Sequence, residues 1–146
     1  MTGDAMEETR VERAAPSGVG DVVTIRLPAA GAYLSILRTA TAGLAARLDF
    51  TLDEIEDLRI AVDEACAILL AQAEPGADLE CEFELSRDVI RISVSVLTLD
   101  GQTPARDTFA WTVLSALVGE VDSRVDADNR VIVDLQKRRG GGSALR

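Results

Sequence analysis

Hydrophobic and polar positions along the chain follow two periods, and each change of period marks an element. Residues 21–27 alternate, with Val23, Ile25 and Leu27 on one side and Val22, Thr24 and Arg26 on the other, which predicts a strand. Pro28 ends it and suits the opening of a helix. Over 30–48, Leu34, Leu37, Leu44 and Leu48 recur among alanines at helical spacing. Asp49-Phe50 breaks that pattern. Thr51 and Glu54 then form a Thr-x-x-Glu capping box, the signature of a helix start. The helix it opens, over 52–72, carries the longest apolar stripe in the chain: Ile55, Leu58, Val62, Ala65, Cys66 and Leu69. Its acids crowd the first turns at Asp53, Glu54, Glu56 and Asp57, where they complement the helix dipole. Glu74-Pro75-Gly76 stops it.

Strands are predicted over 79–85 and 89–96, joined by a tight turn at Ser86-Arg87-Asp88, with Phe83, Ile90, Ile92, Val94 and Val96 as the alternating apolar set. Residues 98–106 read as a loop. A third helix, capped by Asp107 or Thr108, runs to 118 with Ala110, Val113, Leu114 and Leu117 on one side. A final hairpin, 121–125 and 131–137, turns through Asp126-Ala127-Asp128-Asn129. The order β-α-α-β-β-α-β-β implies an α/β (α+β) two-layer sandwich, a mixed and mainly antiparallel sheet with three helices on one face. The single domain spans 21–138. Residues 1–20 show neither period and read as a mobile arm, and Gly-rich 139–146 as a flexible tail.

Composition narrows the chemistry. At 146 residues and 47% apolar, the chain can build one core without disulfide or metal. Aromatics are only 3%, so that core is aliphatic. With no histidine, His-based triads, His metal sites and phospho-histidine relays are excluded. The 25 acids against 15 bases, a net charge of −10, disfavour direct nucleic-acid binding and suit either solubility or a basic partner. Cys66 and Cys81 fall in apolar patterns and read as buried thiols of a reducing cytoplasm. No run is long enough to span a membrane, and no signal peptide is apparent.

Four features carry alternatives. Glu64, late in the second helix and flanked by apolar residues, is a general-base candidate or a solvated acid. Asp100-Gly101 after a strand opens a phosphate loop or an ordinary turn. Trp111 fills the core or anchors a partner. Arg38, the sole charge between Arg26 and Arg47, is a snorkelling surface residue or a directed interface contact, with Tyr33 nearby as an amphipathic one.

Ile25-Arg26-Leu27-Pro28, Arg38 in the first helix, and Asp57-Leu58-Arg59-Ile60-Ala61-Val62-Asp63-Glu64-Ala65 together resemble the anti-sigma factor and serine-protein kinase family of the RsbW and SpoIIAB type. That family shares the ATPase fold of histidine kinases. The third helix, Phe109-Ala110-Trp111-Thr112-Val113-Leu114-Ser115-Ala116-Leu117, resembles that of actinobacterial members. The resemblance implies Glu64 as a vestigial general base, Glu64, Asp100 and Gly101 as a weak nucleotide site, and Arg38 with Tyr33 as partner contacts. It also shows erosion. The magnesium-ligating Asn position is Ile68, which has no oxygen to offer. If Gly101 takes the first glycine of the family's Asp-x-Gly-x-Gly turn, Leu99 stands at its Asp and Thr103 at its second glycine. The lid segment Arg106-Asp107-Thr108-Phe109-Ala110 has no glycine, and Asn129-Arg130 replaces a Gly-Thr. ATP or ADP is therefore at most a weak ligand, and no metal is implied.

The function so implied is that of a cytoplasmic, homodimeric anti-sigma factor that sequesters a stress or sporulation sigma factor and is released by a STAS-domain anti-anti-sigma protein. An active ATP-dependent serine kinase that phosphorylates the STAS antagonist is the second reading, and it requires magnesium to gather the phosphates. A scaffold module without a sigma partner is the third.

Overall fold

The longest helix begins where the capping box predicts. In the computed structural model, which describes residues 12–13 and 20–140, the Thr51 hydroxyl accepts the Glu54 N–H at 3.1 Å and the Glu54 carboxylate accepts the Thr51 N–H at 2.8 Å. Helix α2 runs Leu52–Leu70 and turns Leu58, Ala61, Val62, Ala65, Cys66 and Leu69 inward. Helix α1, Leu34–Arg47, follows a 3-10 turn at Gly31–Tyr33 and buries Leu37, Thr41 and Ala45. Helix α3, Phe109–Val118, is capped by Thr108, whose hydroxyl accepts the Trp111 N–H at 3.2 Å.

The strands are β1 (Glu12–Arg13), β2 (Asp21–Pro28), β3 (Asp78–Leu85), β4 (Val89–Leu97), β5 (Glu120–Val125) and β6 (Arg130–Arg138). They form one sheet in the order β1-β2-β3-β4-β6-β5. Every neighbouring pair is antiparallel, so the sheet lies at the antiparallel limit of the mixed sheet that the element order predicts. The reason is connectivity. β3–β4 and β5–β6 are hairpins, and the crossover through α1 and α2 returns antiparallel beside β2; the crossover through α3 carries β5 one place beyond β4 in the same sense, and β6 folds back antiparallel between the two.

Register places Leu79, Cys81 and Phe83 opposite Val96, Val94 and Ile92, and these opposite Val131, Val133 and Leu135. That layer is fully buried under the helices. The other face is polar, laced by Arg26–Glu80 (3.2 Å), Arg91–Glu84 (3.6 Å) and Arg124–Asp134 (2.9 Å). A sheet covered on one side only must present alternate residues to water, and the alternation supplies them.

Three expectations change at the margins. Within the stretch read as an arm, Glu12–Arg13 pair with Asp21–Val22, since β2 otherwise presents an open edge; most of that arm lies outside the described residues. At the other end, Arg139 and Gly140 are tied down although read as tail. The Arg139 guanidinium bonds Asp88 at 2.7 Å, and the Gly140 N–H donates to Glu54 at 2.7 Å. Residues 141–146 lie outside the described residues. In α3 the buried stripe is Trp111, Leu114 and Val118, one step round from the predicted face. No helix among the described residues is long and apolar enough to cross a membrane.

Candidate functional site

The two flanks of α2 carry the two candidate sites. Successive residues turn about 100° on a helix, so Asp57, Glu64 and Ile68 share a flank within an arc of roughly 40°, whereas Asp63 lies about 100° away on the other. The Asp57 carboxylate faces the Lys137 ammonium of β6 at 3.9 Å, and that ammonium donates to the Leu117 carbonyl of α3 at 2.7 Å. The Glu64 flank therefore faces α3 and β6, and the Asp63 flank faces α1.

On the α3 side, Glu64 is half-buried and accepts no hydrogen bond from any described residue. Ile68, one turn on, packs its half-buried side chain against the core. The Asp100-Gly101 turn is built for its own stability. The Thr98 hydroxyl donates to the Asn129 carbonyl at 2.8 Å and accepts the Gly101 N–H at 2.8 Å, while the Asp100 carboxylate accepts the Gln102 N–H at 3.2 Å. Gly101 sits at φ +66°, and a Cβ there would come within 2.6 Å of the Asn129 side-chain oxygen. A packed turn thus accounts for the glycine. Gln72 fastens the loop to the end of α2 through the Gln102 carbonyl at 2.7 Å, two helical turns past Glu64.

The segment at the family's lid position is also fastened. The Arg106 guanidinium lies over the Trp111 ring, 5.0 Å from its centre, and donates to Asp122 and to the Ser123 hydroxyl (3.2 Å) on β5. The bond from Arg106 holds the Asp122 carboxyl below its ordinary range. Trp111 is buried under that guanidinium and belongs to the core. Three surface depressions of about 310, 460 and 250 Å³ are lined by other residues, at the end of α3, around β5 and on the open sheet face. Glu64, Asp100 and Gly101 are thus not gathered around any of these three. With a hydrocarbon at Ile68 and the Asp100 carboxylate turned onto its own loop, the residues present do not fit a magnesium-bound nucleotide.

On the α1 side the structure supplies a contact that no local pattern shows. The Arg38 Nη1 donates to both Asp63 carboxylate oxygens at 3.0 Å, with each side chain somewhat more than a third exposed. Asp63 is 25 residues away in sequence, so only the packing of α1 on α2 reveals it. Tyr33, in the 3-10 turn that leads into α1, is exposed, and Ile36 on α1, about 160° round from Arg38, is 47% exposed. Both cysteines are buried and free. Burial and the nearby Asp63 carboxylate push the Cys66 thiol up to about 12, and burial raises Cys81 well above its ordinary value.

Three helices on one face of an antiparallel sheet, with a capped central helix bearing Glu64, define the two-layer ATPase-like sandwich of RsbW domains. A crystal structure of the RsbU and RsbW domains of a Mycobacterium tuberculosis protein matches it with a TM-score of 0.63 at 17% identity, over 80% of this chain and 31% of that one, which shows the shared fold. In sequence, the chain is 32% identical over 90 residues to the anti-sigma-F factor RsbW of Mycobacterium tuberculosis, covering 62% of this chain and 54% of that protein. It is 33% identical over 78 residues to the serine-protein kinase RsbW of Bacillus subtilis, covering 51% and 49%. The chain spans about half the length of the curated relatives it matches. No family model matches the chain. It is a homologue of RsbW-type proteins, as the motifs around Arg38, Glu64 and Trp111 imply.

Proposed function

We propose that this chain is a cytoplasmic, homodimeric anti-sigma factor that binds and sequesters an alternative sigma factor and yields it to a STAS-domain antagonist. The observation that carries this reading is the contrast between the two flanks of α2. Toward α3, Ile68 offers no oxygen to a metal, and the Arg106 guanidinium is engaged by Asp122 and Ser123. Toward α1, Arg38 is retained and held at the surface. The relatives' names supply the class of partner. Phosphoryl transfer is not part of the reading, because a transferring phosphate needs a metal to gather its charge.

The test is a titration of the chain with each purified alternative sigma factor of its source genome. One should bind, and Arg38→Ala should weaken it by about 1–3 kcal/mol, as truncation of an interface arginine commonly does. The same substitution removes a half-exposed ion pair worth about 0–1 kcal/mol, so melting should fall by no more than a few degrees. Equal affinity for both variants removes Arg38 from the interface. Transfer of labelled γ-phosphate to a STAS protein, abolished by Glu64→Ala, overturns the non-catalytic reading.

A further inference from the structure

The way Arg38 is held differs from an ion pair built for stability alone. A guanidinium carries five N–H donors, and its strongest grip on a carboxylate uses two nitrogens in a fork. Here a single nitrogen, Nη1, takes both Asp63 oxygens at 3.0 Å, while Nε and Nη2 donate to no described residue. The side chain is 38% exposed, so its unused edge is in reach of solvent. Of its neighbours one turn away on α1, Ser35 and Ala42 are small and Thr41 is turned into the core. On α2, the next cation along the Asp63 flank, Arg59, is engaged by Glu56 at 3.0 Å and does not compete for Asp63.

We propose that Asp63 is a positioning residue: it grips Arg38 by Nη1 alone and so presents the Nε–Nη2 edge, already oriented, to a carboxylate of the bound partner. The recognition element is then an acid–guanidinium–acid sandwich, with Asp63 behind Arg38 and an aspartate or glutamate of the partner in front. This deepens the anti-sigma reading and rests on Arg38 being its partner anchor. The physical gain is preorganisation. An arginine is rich in rotamers, and ordering one at an interface costs enough to weaken binding by roughly 2–10-fold when it is not ordered beforehand. The opposite role is also defined: a carboxylate that merely competes for Arg38 would make binding tighter once removed.

The experiment has two arms. In the first, the sigma factor that binds the unaltered chain is titrated with Asp63→Asn, Arg38→Ala and the double variant, each melted in parallel. Asp63→Asn should bind about 2–10-fold more weakly, and the double variant should bind like Arg38→Ala alone. Tighter or unchanged binding by Asp63→Asn overturns the proposal. So does an equal loss in both backgrounds, which marks a structural role without Arg38. In the second arm the free, ¹⁵N-arginine-labelled chain is examined by NMR. Rotation about the Arg38 Cζ–Nη1 bond should be slow and should become fast in Asp63→Asn; fast rotation in the unaltered chain overturns the proposal without any partner. If Arg38→Ala binds normally, the anchor reading fails, and the second arm still reports whether Asp63 holds the guanidinium.

Discussion

Glu54 joins the start of the longest helix to the end of the last strand, and replacing it should weaken both. Its carboxylate is buried and accepts the Thr51 N–H at 2.8 Å through one oxygen and the Gly140 N–H at 2.7 Å through the other. Burial by itself raises the carboxyl, but the hydrogen bonds from Thr51 and Gly140 and the nearby Lys137 ammonium more than reverse this, and it titrates below its ordinary 4.5. In Glu54→Gln one amide oxygen remains for one donor, while the NH₂ group faces the other, and the charge is lost. Hydrogen bonds to charged groups contribute about 1.5–3 kcal/mol each, and half of this pair survives, so the cost should be about 1–3 kcal/mol. For a chain of this size that lowers the melting point by roughly 2–12 °C.

The pH dependence follows from the direction of the shift. A carboxyl lowered on folding stabilises the fold fully above its unfolded value and loses that contribution as pH falls through its folded value. Urea unfolding of both variants at pH 7 and at steps below pH 4.5 should therefore show a gap that is widest at pH 7 and closes in acid. Equal stability at pH 7, or a gap that widens as pH falls, refutes the reasoning.

Two further outcomes follow from the same contacts. Cys66 and Cys81 should resist a thiol reagent at pH 8 in the folded chain and react only at the rate of unfolding, since Cys66 is pushed up to about 12 and both are buried; rapid labelling in native buffer contradicts this. Gly101→Ala should cost about 1–3 kcal/mol, because the left-handed backbone is strained for alanine and its Cβ meets the Asn129 side chain; an unchanged melting curve would place the turn in another conformation.

The amino-acid order alone determined the elements whose signals are local. The Thr51–Glu54 capping box, the α2 stripe through Leu58, Val62, Cys66 and Leu69, and the alternation in β3 and β4 each depend on residues within a few positions, and each appears where the pattern puts it. The one-face sandwich was also legible, because hairpins compel antiparallel neighbours and three amphipathic helices must cover apolar strands. The family motifs marked Arg38 and Glu64 as residues to watch.

What the fold alone decided is how those residues are engaged. Asp63 reaches Arg38 across 25 positions, Gly140 reaches Glu54 across 86, and Arg106 covers Trp111 while gripping β5. Trp111, open between core and surface in the sequence, is buried because α3 settles one step round from its most apolar face. Such contacts are set by helix rotation and by the approach of distant segments. A side chain's partner depends on about 100° of turn per residue and a few ångströms of packing, which a one-dimensional pattern does not carry.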